Sequence, residues 1–253
     1  MSVQTPEIAI RVANVHKAFG SKKVLNGISL ELACGKLLVV LGSSGSGKSV
    51  FLKHLNGLLQ PDAGEVEVLG EKVSGRPEAE LIPLRRKVSY IFQQGALFDS
   101  LTVGENVAFP LLEHTSLSRA EIRDKVAHLL ARVGLGGTEN LMPSELSGGM
   151  RKRVALARGL ALDPQVILYD EPTAGLDPLT GEAITELIRD VAGETCATSV
   201  VVTHDLLVAK SLGGTLAYLS QGLFSFLGSI EEAAKESGEL ARFLRAGGLY
   251  VGA

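Results

Sequence analysis

The sequence predicts an α/β fold built on a mostly parallel sheet, and three observations carry that reading. Short, predominantly apolar runs recur at Leu37–Leu41, Val88–Phe92, Val166–Tyr169, Ser199–Thr203 and Thr215–Leu219. Runs this short and this apolar suit strands covered on both faces. Helical periodicity fills much of the space between them, and a glycine-rich turn links the first run to a helix.

Taken in order, residues 8–35 and 65–73 read as short half-buried strands of a small antiparallel sheet. After the run at 37–41, Val50, Phe51, Leu55, Leu58 and Leu59 fall at helical spacing, and the pattern stops near Gly57–Pro61. Residues 100–160 read as a helical insertion into the sheet domain. Within it, Ser118 and Glu121 form a capping box ahead of Ile122, Val126, Leu129, Leu130 and Val133, and Gly134 closes the helix. Between the runs at 166–169 and 199–203, a helix carries Ile184, Leu187, Ile188 and Val191 on one face. A further capping box, Ser229 with Glu232, opens a final helix expected to reach about Arg245.

At 253 residues the chain can bury a substantial core, and 45% hydrophobic with 21% charged residues is ordinary for a globular protein. A net charge of −3 offers no general attraction to nucleic acid or anionic lipid. The small basic clusters Arg85-Arg86-Lys87 and Arg151-Lys152-Arg153 read as solvated faces. Cys34 and Cys196 lack metal-ligand spacing and fit a reducing cytosol. The opening MSVQTPEIAIRVANV lacks the basic and apolar segments of a secretory signal. No stretch approaches the ~18–20 apolar residues of a membrane span, so any work at a membrane is expected to run through partners.

Two motifs carry chemistry directly. Gly42-Ser43-Ser44-Gly45-Ser46-Gly47-Lys48-Ser49 matches G-x-x-x-x-G-K-[ST] and sits after a buried strand, opening a helix. Its glycines let backbone N–H groups turn in around phosphate oxygens at the positive end of a helix. Lys48 can reach the β- and γ-phosphates, and the Ser49 hydroxyl can ligate Mg2+. Alone, this loop does not choose between kinase, GTPase, helicase and transporter ATPase. The second motif, Val166-Ile167-Leu168-Tyr169-Asp170-Glu171, places two acids at the carboxyl end of an apolar strand. Asp170 would hold Mg2+ and Glu171 would polarise an attacking water, a pairing that leans towards ATP hydrolysis.

A third motif, Leu146-Ser147-Gly148-Gly149-Met150, precedes the Arg-rich helix RKRVALARGLALDP. Ser147 is a natural N-cap, and Gly148 and Gly149 permit close approach of a phosphate to the helix start. The chain therefore carries two anion sites.

On these motifs, residues 8–230 resemble the ABC ATPase family, whose signature is LSGG followed by such a helix. The resemblance implies a P-loop NTPase fold with a RecA-like core spanning 8–245 as one domain. An antiparallel β subdomain lies within 8–35 and 65–73, a helical signature subdomain at about 100–160, and a C-terminal helix at about 230–245. It implies that Phe19 stacks on adenine and that Gln93 senses Mg2+ and the γ-phosphate. Ala174-Gly175-Leu176-Asp177 would cross a dimer interface, and His204 would contact the γ-phosphate. Gln94 follows Gln93; the aromatic-Gln pair Phe92-Gln93 favours Gln93 for this role. His16, His54, His114 and His128 match no motif. The implied assembly is a head-to-tail two-fold dimer in which one copy's phosphate loop and the other's signature grip the same ATP.

The substrate is read from Gly95–Thr115, GALFDSLTVGENVAFPLLEHT, and from LMPSELSGGM, Leu141–Met150. Both resemble the Mla/Mce-type phospholipid-transport ATPases, where Met150 is also found in place of the commoner Gln. That resemblance implies permease partners at the cytoplasmic side of the inner membrane, an Mce-type lipid-binding protein and a small regulatory subunit. The chain runs eight residues past Arg245, against a longer tail in some relatives, so tail-mediated dimer support is not expected. Alternatives are an importer ATPase for a small polar solute such as an amino acid, and, more remotely, a soluble ABC ATPase acting on DNA or ribosomes.

Overall fold

The computed structural model describes residues 7–246. Its strands, in chain order, are β1 (Ile8–Phe19), β2 (Lys22–Ala33), β3 (Leu37–Leu41), β4 (Ala63–Val68), β5 (Glu71–Lys72), β6 (Val88–Ile91), β7 (Val166–Asp170), β8 (Thr198–Thr203), β9 (Thr215–Ser220) and β10 (Leu223–Gly228). The helices are α1 (Lys48–Leu55), α2 (Ile82–Arg85), α3 (Val103–His114), α4 (Arg119–Arg132), α5 (Gly148–Leu160), α6 (Pro178–Thr195), α7 (Leu206–Leu212), α8 (Ile230–Ala233) and α9 (Glu239–Ala246).

The strands form two sheets. A six-stranded sheet has the order β10-β9-β3-β8-β7-β6, parallel except for β10. A four-stranded antiparallel sheet has the order β2-β1-β4-β5. Because side chains alternate along a strand, the parallel sheet divides the core in two. Leu38, Val40, Leu168, Val200, Val202 and Leu219 face α1 (Phe51, Leu52, Leu55) and the antiparallel sheet (Ile10, Val12, Ile28, Val66). Val39, Leu41, Ile167, Tyr169, Val201 and Tyr218 face the other way, towards α5, α6 and α7. That second cluster continues into the helical region, where Val103, Val107 and Leu111 of α3 meet Ile122, Val126 and Leu130 of α4 and Val154 of α5. Each such side chain contributes about 1.5–3 kcal/mol by leaving water, so the two layers set where every connecting loop emerges.

The local signals ended elements where their chemistry allows. Ser118 Oγ accepts from the Glu121 N–H and Glu121 accepts in return from the Ser118 N–H, 2.7 Å. Gly134 follows α4 at φ +70°. A capping box not singled out in the sequence, Thr102 with Glu105, starts α3.

Two expectations are corrected. The helix after the glycine turn stops at Leu55, before Leu58 and Leu59, and Gly57 at φ +70° follows it. The Ser229–Glu232 box opens only the four-residue α8. Gly238, at φ +82°, breaks the right-handed run, and α9 begins separately at Glu239. There, Glu239 accepts from Ser220 Oγ (2.8 Å) and Tyr218 Oη (3.3 Å), tying α9 to the end of β9. The sixth strand, β10, was not expected. It folds back from β9 through Gln221 (φ +50°) and Gly222 (φ +76°), the two positive values that a tight hairpin needs. The chain beyond residue 246, and with it the expectation about the tail, lies outside the described residues, as do residues 1–6.

Strand β1 pairs β4 with a register shift between Ala13 and His16, where Asn14 adopts φ +49°. Opposite it, Gly64 is at φ +88°, and a Cβ there would lie 2.2 Å from the Asn14 carbonyl oxygen and 2.6 Å from that of Ala13. Gly64→Ala is therefore expected to destabilise the protein by about 2–3 kcal/mol. Thermal unfolding checks this: an unchanged melting temperature would mean that the bulge does not need glycine.

Candidate active site

Strand β3 is central in the parallel sheet and delivers the chain to Gly42 at its carboxyl end. The loop then turns tightly through Gly45 (φ +78°) and Gly47 (φ +106°), which precedes α1. A Cβ on Gly42 would lie 2.5 Å from the Leu219 carbonyl oxygen and 2.7 Å from Ser46 Oγ, so this backbone tolerates no side chain. Lys48 folds back over the loop, and Nζ donates to the carbonyls of Gly42 (2.9 Å) and Ser43 (3.1 Å). Its side chain is only 5% exposed and lies 3.3 Å from Glu171 Oε1. Ser46 Oγ is buried and has no hydrogen-bond partner among the described residues. Such orphaned atoms are uncommon, and a group rich in acceptor oxygens at this helix start would satisfy it.

Strand β7 reaches the same edge one strand away, with β8 between. Asp170 Oδ1 accepts from Ser49 Oγ and Oδ2 from Tyr90 Oη, both at 2.7 Å. Burial first, and then the Asp170 charge, raise the Tyr90 pKa well above its ordinary value, so the phenol stays protonated as a donor. Glu171 adopts φ +46°, with its N–H bound to the Val202 carbonyl at 3.0 Å. Its Oε2 lies 2.8 Å from His204 Nδ1 and accepts from the His204 backbone N–H at 3.3 Å.

Lys48, Ser49, Glu171 and His204 line one cleft of about 510 Å3 together with Phe19, Ser44, Gly45, Gly47 and Gln93, and Asp170 adjoins it through its bond to Ser49. Phe19 closes it from the end of β1, 48% exposed, with Lys17 Nζ 5.7 Å from its ring. Gln93 lines the cleft and Gln94 does not. Ser43 and Ser46 face an adjoining depression with Lys22, Lys23 and Gly222. The arrangement supplies a backbone anion cradle, a cation, a hydroxyl–carboxylate pair suited to a hard divalent cation, a carboxylate held beside a histidine, and an exposed aromatic face.

The remaining sequence-predicted residues lie elsewhere. Ser147 Oγ caps α5, accepting from the Met150 N–H at 3.2 Å. A Cβ on Gly149 would lie 2.4 Å from Thr180 Cγ2, and one on Gly148 would lie 3.5 Å from Leu176. Asp177 caps α6 and accepts from the Thr180 N–H at 3.0 Å. Bonding from Thr180 lowers the Asp177 carboxyl pKa. None of Ser147, Gly148, Gly149 and Asp177 lines the cleft.

Three residues escaped sequence reasoning. Tyr90 reaches Asp170 because its strand pairs with Leu168, a register invisible in the sequence. Arg158 Nη2 donates to the Gly95 carbonyl at 2.8 Å and sits over the Phe98 ring. Lys152 turns inward from the cluster read as a solvated face; Nζ donates to the Ala174 carbonyl at 2.6 Å. Arg158 also lines an apolar groove of about 570 Å3 with Ile82, Phe92, Phe98 and Phe109. The loop on its rim is pinned by buried Asn106, which accepts from the Phe98 N–H and donates to the carbonyls of Phe98 and Leu101.

Comparison with known proteins places this geometry. Residues 25–174 match the ABC transporter family. The probable ribonucleotide transport ATP-binding protein mkl of Mycobacterium leprae (strain TN) is 44% identical over 212 residues, which are 84% of this chain and 61% of that protein. The chain thus spans about three fifths of the length of this relative, and 59% of its Mycobacterium bovis counterpart. The intermembrane phospholipid transport system ATP-binding protein MlaF of Escherichia coli (strain K12) is 42% identical over 187 residues, covering 74% of this chain and 70% of that one. Among solved structures, a dimeric ATP-binding cassette in a post-hydrolysis state bound to ADP and Pi superposes with a TM-score of 0.80 at 36% identity, over 87% of this chain and 98% of the other.

Proposed function

The chain belongs to the ABC transporter family, and on that premise we propose that it is the ATP-binding and ATP-hydrolysing subunit of a transporter, working as a head-to-tail dimer. The observation that carries this reading is the division of the motifs. One cleft gathers Phe19, Ser44, Gly45, Gly47, Lys48, Ser49, Gln93, Glu171 and His204, while Ser147, Gly148 and Gly149 at the start of α5 do not line it. A second copy, turned about a two-fold axis, brings its Ser147, Gly148 and Gly149, with Asp177 nearby, to the open side of the cleft.

In this reading Phe19 stacks on adenine, and the loop N–H groups of Gly42, Ser43, Ser44, Gly45, Ser46 and Gly47 hold phosphate oxygens. Lys48 exchanges loop carbonyls and Glu171 for the β- and γ-phosphates. Ser49 and Asp170, already bonded to each other, with Gln93, are the residues that would hold Mg2+. When bound, Mg2+ neutralises charge on the β- and γ-phosphates. Glu171 accepts a proton from the attacking water, and His204 holds the Glu171 carboxylate and reaches the γ-phosphate. ATP favours the closed dimer because only that state supplies both sets of contacts; hydrolysis withdraws them.

Among the described residues no helix is long and apolar enough to cross a membrane. The apolar groove beside Phe98 and Phe109 is the proposed seat of a permease element, which would hold the chain at the cytoplasmic face of the inner membrane. We assign the cargo as phospholipid, on the 42% identity to the phospholipid-transport ATPase and on the 95–115 segment that builds this groove. A small polar solute is the second reading, supported by the 44% identity to a protein named for ribonucleotide transport.

Lys48→Ala is expected to weaken binding of a fluorescent ATP analogue roughly 10- to 100-fold, the scale of one charge-assisted hydrogen bond of about 1.5–3 kcal/mol. Unchanged affinity would remove the lysine from the site. Glu171→Gln is expected to slow hydrolysis by about 10²–10⁴ while leaving ATP bound. Size-exclusion chromatography with ATP should then show a persistent dimer, and a variant that stays monomeric at high concentration contradicts the sandwich. Purified intact from membranes, the transporter is expected to carry phospholipid, a permease, an Mce-type lipid-binding protein and a small regulatory subunit. A permease paired instead with a soluble solute-binding protein selects the second reading.

A further inference from the structure

Glu171 occupies a backbone position that its surroundings must enforce. A φ of +46° is uncommon for a residue with a side chain. The turn that follows closes when the Ala174 N–H donates to the Glu171 carbonyl at 3.2 Å. The same turn receives one cation from outside. Lys152 Nζ donates to the Ala174 carbonyl at 2.6 Å and approaches the Glu171 carbonyl at 3.4 Å. Its stem crosses from the second turn of α5 towards the end of β7 instead of extending into water. Burial disfavours the charge and pulls the Lys152 pKa down, with Glu171 opposing that effect. An ammonium held in a half-buried place, on two carbonyls of one tight turn, costs desolvation that a solvated lysine avoids. No other side chain donates to the Glu171 or Ala174 carbonyl in the contacts of the described residues.

We propose that Lys152 is a positioning residue for Glu171: by gripping the Glu171–Ala174 turn it keeps the carboxylate between Lys48 and His204, and it fastens α5 to that turn. The proposal rests on the reading of Glu171 as the base in ATP hydrolysis. Lys152 touches no reacting atom in this account. It acts through hydrogen bonds to carbonyls, so the donor matters more than the charge.

Steady-state ATPase assays on the assembled protein test it with Lys152→Met and Lys152→Gln. Lys152→Met should lower kcat about tenfold or more and leave KM for ATP within about twofold. Lys152→Gln keeps an N–H donor without the charge and should recover at least about a third of the wild-type kcat. Each change is then repeated in a Glu171→Gln background and followed as single-turnover hydrolysis over hours. With the carboxylate already gone, neither change should slow the residual reaction further. Three results would overturn the proposal: a raised KM with unchanged kcat, a Gln variant as slow as the Met variant, or losses that multiply in the Glu171→Gln background. If Lys152→Met does not fold, Lys152→Gln in the two backgrounds decides by the same criterion. Wild-type turnover by Glu171→Gln alone would instead sink the reading of Glu171, a failure distinct from that of Lys152.

Discussion

Three neighbouring parallel strands, β3, β8 and β7, end at one edge of the sheet, and the chemistry of the cleft hangs from those ends. β3 releases the loop that carries Lys48 and Ser49, β8 runs into His204, and β7 ends at Asp170 and Glu171. Adjacent strands lie about 4.8 Å apart, so groups carried just beyond the ends of these three strands meet without long reach. The 2.7 Å contact between Ser49 and Asp170 and the 2.8 Å contact between Glu171 and His204 follow from that spacing. Apolar layers pack both faces of the strands whose ends carry these groups.

The charges in the cleft are arranged around their own neutralisation. Lys48, hardly exposed, is surrounded by two carbonyls and a carboxylate. Among the described residues, Asp170 is fed by two hydroxyl donors and no cation. The site is therefore polar on its floor and closed on its flank by the ring of Phe19.

Much of this was legible in the sequence where the physics is local. The glycine turn, the two acids at a strand end, the capping box at Ser118 and the antiparallel pairing of residues 8–35 with 65–73 each depend on residues a few positions apart or on period-two patterning. What escaped depends on register or on distant segments. Tyr90 becomes a partner of Asp170 only once β6 is aligned on β7. Lys152 and Arg158 look like surface charge in a basic run until α5 is laid against the sheet. The Gln221-Gly222 hairpin was a local signal left unread, and Gly238 was a break outvoted by the capping box before it. Ser147 was recognised as a helix cap, and a cap it is, although it does not line the cleft of its own chain.

Helix α5 joins these observations. It is 13 residues long, about 20 Å of stiff rod. Ser147 stands at its tip, Lys152 grips the turn after Glu171 part-way along, and Arg158 near its far end holds the Gly95 carbonyl and lies over the Phe98 ring. A helix cannot stretch to let one of these points shift while the others stay. Whatever pushes on the aromatic groove is thus levered onto the glutamate turn and the serine tip together, and a strain begun at any one of the three stations is shared with the other two.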